Sequence, residues 1–333
     1  MNMKNRLMKL ILFKFRGCVF YYKYIEHKIR TQFYSKCLLH NPRPGIIYMA
    51  DGKCNPGGLC DRLWGILSLY KISKKLNMPF FINFTEPFNL SDYLSPNSVD
   101  WFIKKNEIVS NKSQVNLLYV FCASGRFGYD LYKESVIQMK YIYNNIHDRN
   151  SQYQVYTNAH FVENPLEFSV LFHELFIPNK HLVDAINYNQ IKIKDKYIAI
   201  VLRFQNLLGD FEEGKIMPLE EQKQQNLINK LHNKIVEIHQ ETYNYKILVT
   251  SDSRKFLDSL VNLDFVYTIP GKVVHMSFTE EKDYETHLKS FIDLYMVSQA
   301  EKIFLLISDR MYRSGFAKFA SMINNKSYSE IVL

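Results

Sequence analysis

From residue 197 onward the chain alternates two kinds of pattern. Apolar runs at 197–203 (YIAIVLR), 245–252 (YKILVTSD), 265–269 (FVYTI) and 302–308 (KIFLLIS) have the length of strands. Continuous rather than alternating apolar character is how strands covered by helices on both faces read. Between these runs apolar residues recur every three or four positions. Leu227, Leu231, Ile235 and Ile238 line one face of a segment opening near Pro218, a residue favoured in a first helical turn. Further helices are predicted over 253–262, 284–300 and 314–324. Strand and helix in alternation imply a parallel sheet with helices on both faces.

The first half opens with the same unit. After the helix-breaking NPRPG (41–45) come a strand, IIYMA, a turn at Pro56, Gly57 and Gly58, and a helix from Leu59 with Leu63, Ile66, Leu67, Tyr70 and Leu76 at helical spacing. PFFINF then returns to strand. A Gly-rich loop opening a helix offers free amides to an anion. Beyond it, 116–124 predicts a strand and 165–178 a helix, while 187–196 (NYNQIKIKDK) is polar and aperiodic enough to be a domain junction. The expected architecture is α/β, two Rossmann-like domains facing one another across a cleft. The divisions are a basic segment 1–43, an N-terminal domain 44–190 and a C-terminal domain 191–333.

Composition fits this picture. The 47% hydrophobic and 23% charged content is globular, and 333 residues suffice for about two cored domains. The net charge of +9 suggests a polyanion partner until it is located. Residues 1–43 hold ten Lys and Arg against one acid, Glu26, and residues 44–333 hold 32 basic and 32 acidic side chains. A neutral body argues against a nucleic-acid partner. The basic segment interleaves Leu, Ile, Phe and Tyr with its cations and has no apolar run near the ~20 residues that span a bilayer. It reads either as a stretch lying on an anionic membrane surface or as a solvated first helix docked on the body. No signal-peptide core is present, and five cysteines (Cys18, Cys37, Cys54, Cys60, Cys122) without CxxC spacing suit a reducing cytosol. The expected location is cytoplasmic, peripheral on the inner face of the membrane.

Candidate chemistry gathers at strand ends, where open α/β sheets bind ligands. Arg203 ends the first strand of the second half, Asp252 the second, and Ser308 and Asp309 the last; Ser314, Gly315 and Phe316 begin the final helix. A guanidinium there has the fork to grip phosphate, and helix-start amides would complement it. Read singly, Arg203 could equally pair with a nearby acid and Ser314 could simply cap the helix. Asp293 stands among Phe291, Ile292 and Leu294, so it must be solvated or paired.

Three stretches carry a resemblance: GGLCDRLWGIL (57–67), IVLRFQNLLGD (200–210) and FIDLYMVSQAEKIFLLISDRMYRSGFAKFAS (291–321). In that order they are similar to motifs of the GT-B fucosyltransferase superfamily, which includes bacterial α-1,2- and α-1,6-fucosyltransferases and protein O-fucosyltransferases. The resemblance implies GDP-fucose as donor substrate, no metal or other cofactor, and inverting transfer to a hydroxyl of a surface or capsular glycan precursor, lipid-linked acceptors included. By position, Arg203 would grip the diphosphate, Asp293 would read guanine, Ser314, Gly315 and Phe316 would contact phosphates, and Gly57 and Gly58 would close the cleft. Asp252 would lie near the nucleotide. The sequence departs from the pattern at Val201, where the family often has His, at Phe204, where it has a second Arg, and at Asp61, where it has Asn. Asp61 would have to face the acceptor or pair with Arg62. The general base implied is Asp210, Asp61 or neither, with Asp210, seven residues after Arg203, the first choice. Another nucleotide-sugar, or a non-catalytic glycan-binding or membrane-surface protein of the same fold, are the alternatives.

Overall fold

The computed structural model describes residues 41–54, 56–109, 115–120, 131–194, 196–211, 216–271, 273–274, 284–308 and 310–333. Most of the basic segment (1–40), Cys18, Cys37, Cys122, the end of the 116–124 strand, Glu212, Glu213 and Asp309 lie outside them.

In chain order the elements are β1 (Gly45–Ala50), α1 (Leu59–Leu76), β2 (Phe80–Phe84), β3 (Leu94–Pro96), β4 (Val115–Val120), α2 (Leu131–Asn144), β5 (Gln152–Thr157), α3 (Pro165–Leu175), β6 (Phe176–Pro178), α4 (Lys180–Ile193) and β7 (Tyr197–Leu202). There follow α5 (Glu221–Glu241), β8 (Lys246–Ser251), α6 (Arg254–Ser259), β9 (Val266–Tyr267), α7 (Tyr284–Gln299), β10 (Lys302–Ile307), α8 (Phe316–Ile323) and β11 (Ser327–Val332). Two parallel sheets result, ordered β2-β1-β5-β4 and β11-β10-β7-β8-β9, with a small antiparallel ribbon of β3 and β6. The inner strands β1 and β7 are buried at every position, as their unbroken apolar runs require.

Three expectations change. Segment 187–196 is helical through Ile193: α4 buries Leu182, Ile186, Asn189 and Ile193, whose helical spacing is masked by a buried Asn and exposed Tyr188 and Ile191. The 165–178 helix stops at Leu175 and becomes β6. The 265–269 strand keeps only two residues.

The two sheets share one apolar core. Trp64 of α1 and Phe168 of α3 meet the Phe319 ring of α8 edge-on, with centroids 5.6 and 5.0 Å away. Tyr93 stacks on Phe291 of α7 at 4.3 Å and donates to the Tyr284 carbonyl at 2.7 Å. Within the first half, Gly65 lets α1 lie directly on β5, since a methyl there would collide with the Thr157 carbonyl oxygen.

Candidate active site

Because both sheets are parallel, their carboxyl ends can face a common space. Around the ends of β7, β8 and β10, the loop after β5 and the N-terminus of α1 lies a cleft of about 220 Å³. Gly58, Asp61, Trp64 and His160 line one wall; Arg203, Asp252, Asp293, Ser314, Gly315 and Phe316 line the other.

Arg203 is held from three directions. Its Nε lies 3.3 Å from the Asp252 carboxylate, its guanidinium sits 4.9 Å from the Phe211 ring centroid, and its carbonyl accepts from the Tyr312 amide at 3.0 Å. Pairing with an acid and facing the cleft are therefore both true of it. Asp252 also accepts from the backbone N–H of Phe204 and Gln205 at 2.8 and 2.7 Å, fixing the turn that follows β7. Burial pushes the Asp252 carboxyl up, and Arg203 and the two amides oppose that shift. Asp252 thus lines the cleft and at the same time holds both the Arg203 side chain and the turn after β7.

Asp293 is buried, not an exposed helix-face acid. Lys289, one turn earlier on α7 and buried itself, donates from Nζ to both carboxylate oxygens at 2.8 and 2.7 Å. Burial pushes this carboxyl up and Lys289 pulls it down. Asp293 lines the cleft and each of its oxygens keeps a second lone pair, so the carboxylate can still accept two N–H bonds.

The final helix is capped differently from the expectation. Gly315 is the N-cap, and the Ser314 hydroxyl oxygen accepts from the Phe316 amide at 3.2 Å, so that amide is not free. The Ser314 O–H proton remains to donate. Gly315 has an ordinary φ of −74° and nothing within 4 Å of where a Cβ would stand, so neither backbone nor packing demands glycine. The open space above it adjoins the cleft.

On the opposite wall, Gly57 has φ +97°, a left-handed value that only glycine adopts readily, and its carbonyl accepts from Arg62 Nε at 2.9 Å. Gly57 does not line the cleft; Gly58 does, and its amide donates to Asp61 Oδ2 at 3.1 Å rather than waiting for an anion. Arg62 is taken by the Gly57 and Glu86 carbonyls, so Asp61 is not ion-paired to it. The partner of Asp61 is His160, whose Nε2 stands 3.3 Å from Oδ1.

Asp210 is a correction. Its carboxylate accepts from Ser253 Oγ at 2.9 Å and from the Lys255 amide at 2.7 Å, capping α6 from outside, and it is not part of the cleft wall. Closeness in sequence to Arg203 misled because the chain turns away at Gly209, φ +78°. Val201, at the position of the family's His, lines the cleft, and Phe204 is buried against Phe256 at 5.0 Å. Sequence reasoning missed His160 and Lys289. The first follows the carboxyl end of β5, the edge rule that found Arg203; the second stands four residues before Asp293 on the same helix.

No protein-family model matches the chain, and no curated protein matches it in sequence. Solved structures do match in fold. A mutant of Arabidopsis thaliana FUT1 in complex with GDP superposes with a TM-score of 0.53 at 11% identity, covering 92% of this chain and 74% of that one. The NodZ alpha-1,6-fucosyltransferase soaked with GDP-fucose gives a TM-score of 0.53 at 12% identity over 84% of this chain and 93% of that one. Fucosyltransferase NodZ from Bradyrhizobium gives 0.51 at 12%, over 84% and 92%. The fold is the Rossmann-like GT-B fold of these fucosyltransferase structures.

Proposed function

We propose that this protein is an inverting glycosyltransferase that moves a sugar from a GDP-sugar, GDP-fucose first among them, to a hydroxyl of a cell-surface or capsular glycan precursor. The observation that carries the reading is one cleft with a cation and a buried acid on one wall and a half-buried acid on the other. Asp293 accepts the paired N–H donors of guanine. Arg203, held by Asp252, faces the diphosphate, where negative charge grows as the sugar leaves. Ser314 donates to a phosphate oxygen, and the space at Gly315 admits it. The acceptor hydroxyl attacks the sugar's C1 from the opposite face and surrenders its proton to Asp61, the carboxylate on that wall. The GDP and GDP-fucose present in the superposing structures support the donor class.

The test is calorimetric titration with GDP, UDP and ADP. We expect GDP to bind best and both Arg203→Ala and Asp293→Ala to weaken it. Equal affinity for the three nucleotides would reduce the likeness to one of fold and remove the donor assignment. Tight GDP binding without turnover of any GDP-sugar would leave a non-catalytic binding protein.

A further inference from the structure

We infer that His160 is a positioning residue for the transfer step, holding Asp61 in the orientation in which its carboxylate takes the proton of the attacking hydroxyl; this rests on the glycosyltransferase reading above. Asp61 receives one hydrogen bond on each oxygen, from the Gly58 amide at 3.1 Å on Oδ2 and from His160 Nε2 at 3.3 Å on Oδ1. Two donors on two oxygens fix the plane of a carboxylate. With Gly58 alone, an Asp61 side chain that is 45% exposed would swing into water.

The imidazole is held independently of Asp61, as a positioning group must be. Its backbone amide donates to Ser135 Oγ at 2.8 Å. The Ser68 hydroxyl donates to the Ala159 carbonyl at 2.6 Å and accepts from the Phe161 amide at 2.9 Å, clamping the residues on either side. The ring lies nearly parallel to Trp64, with centroids 4.8 Å apart and planes 12° from coincidence. Trp64 is one turn after Asp61 on α1, so the helix that presents the carboxylate also presents the platform for its partner. Both Asp61 and His160 line the cleft, facing the wall that carries Arg203.

The proton balance of the step is closed. The acceptor oxygen bonds to the sugar's C1 and its proton passes to Asp61. The bond from C1 to the phosphate oxygen breaks, and its electron pair leaves with GDP. His160, donating from Nε2 to Asp61, takes no part in the proton transfer. Misalignment of a reacting group by about an ångström costs roughly a hundredfold in rate, which is the scale of what the second hydrogen bond protects.

Two substitutions separate hydrogen bond from ring. His160→Phe keeps a ring for Trp64 and loses the N–H; His160→Gln loses the ring and keeps an N–H donor within reach of Asp61. The assay is GDP release from whichever of GDP-fucose and GDP-mannose the wild type turns over, with water as acceptor, alongside GDP affinity and Tm. We expect His160→Phe to lower kcat by about 10- to 100-fold with donor KM and GDP affinity unchanged, and His160→Gln to retain most of the rate. Equal losses in the two variants, or the larger loss in His160→Gln, would assign the residue to packing and overturn the inference alone. Loss of GDP affinity or a collapsed Tm in both would do the same. A wild type that releases GDP from neither donor overturns the glycosyltransferase reading and this inference with it.

Discussion

At the scale of single residues, the proposed reading of guanine by Asp293 depends on a charge state. Lys289 gives its ammonium to both oxygens of Asp293, and the two groups are 4% and 5% exposed. Removing one member of a buried pair leaves the other uncompensated, and a carboxyl then escapes by protonation. An ionised carboxylate offers two acceptors and fits guanine; a protonated one offers a donor and an acceptor and fits adenine's edge instead. Lys289→Met is therefore expected to lower GDP affinity and leave ADP affinity unchanged or higher, narrowing the preference by about tenfold, ~1.4 kcal/mol. On the proposed assignment GDP binds the ionised form, so its affinity should fall as pH drops through a value burial has raised, and the Met variant should show that loss at higher pH. Calorimetry with both nucleotides across a pH series checks this, and an unchanged GDP-to-ADP ratio would contradict it. Arg203 was legible because a guanidinium ending an all-apolar strand stands at the sheet edge where ligands bind. Asp210 and His160 were not: a side chain's partner across 40 or more residues, Ser253 for one and Asp61 for the other, leaves no trace in local sequence.

At the scale of elements, legibility followed burial. The runs that became β1, β7, β8 and β10 are covered on both faces and announce themselves by composition. The edge strand β11, SYSEIV, has no fully buried residue and carries no such mark, although it pairs with β10 along its whole length. α4 was hidden for a related reason: only four of its fourteen positions are buried. Two glycines show how helix placement and site access separate. Gly65→Ala would drive a methyl into the Thr157 carbonyl and force α1, with Asp61 and Trp64, off β5. Overpacking of this kind costs about 1–3 kcal/mol, so Tm should fall and turnover with it. Gly315→Ala meets no atom and no backbone restriction, so its Tm should match the wild type, while GDP affinity should drop because the methyl would occupy cleft space beside the proposed phosphate site. Thermal melts read beside GDP titrations distinguish the two, and a Gly315→Ala protein with undiminished GDP binding would take that glycine out of the site.

At the scale of the whole molecule, the two-sheet plan was readable from strand and helix alternation, but the seam joining the sheets was not. It is built from aromatic side chains, Trp64, Phe88, Tyr93, Phe168, Phe291 and Phe319, contributed by helices and irregular segments of both halves. Facing halves are expected to move and unfold separately unless their contact is large and apolar, and here a single apolar cluster runs through both. One calorimetric transition is therefore expected, and GDP at a hundred times its Kd should raise all of it by ~2.7 kcal/mol, even though Arg203, Asp293 and Ser314 belong to one half. Phe319 is the ring at which α1, α3 and α8 converge. Truncating a fully buried Phe costs about 3–5 kcal/mol, and at this position the loss falls on the contact between halves rather than on either sheet. Phe319→Ala should thus split the transition in two, with GDP shifting only the component that holds β7, β8 and β10. A lowered but still single transition, shifted whole by GDP, would show that the halves are coupled through Tyr93 and α7 instead.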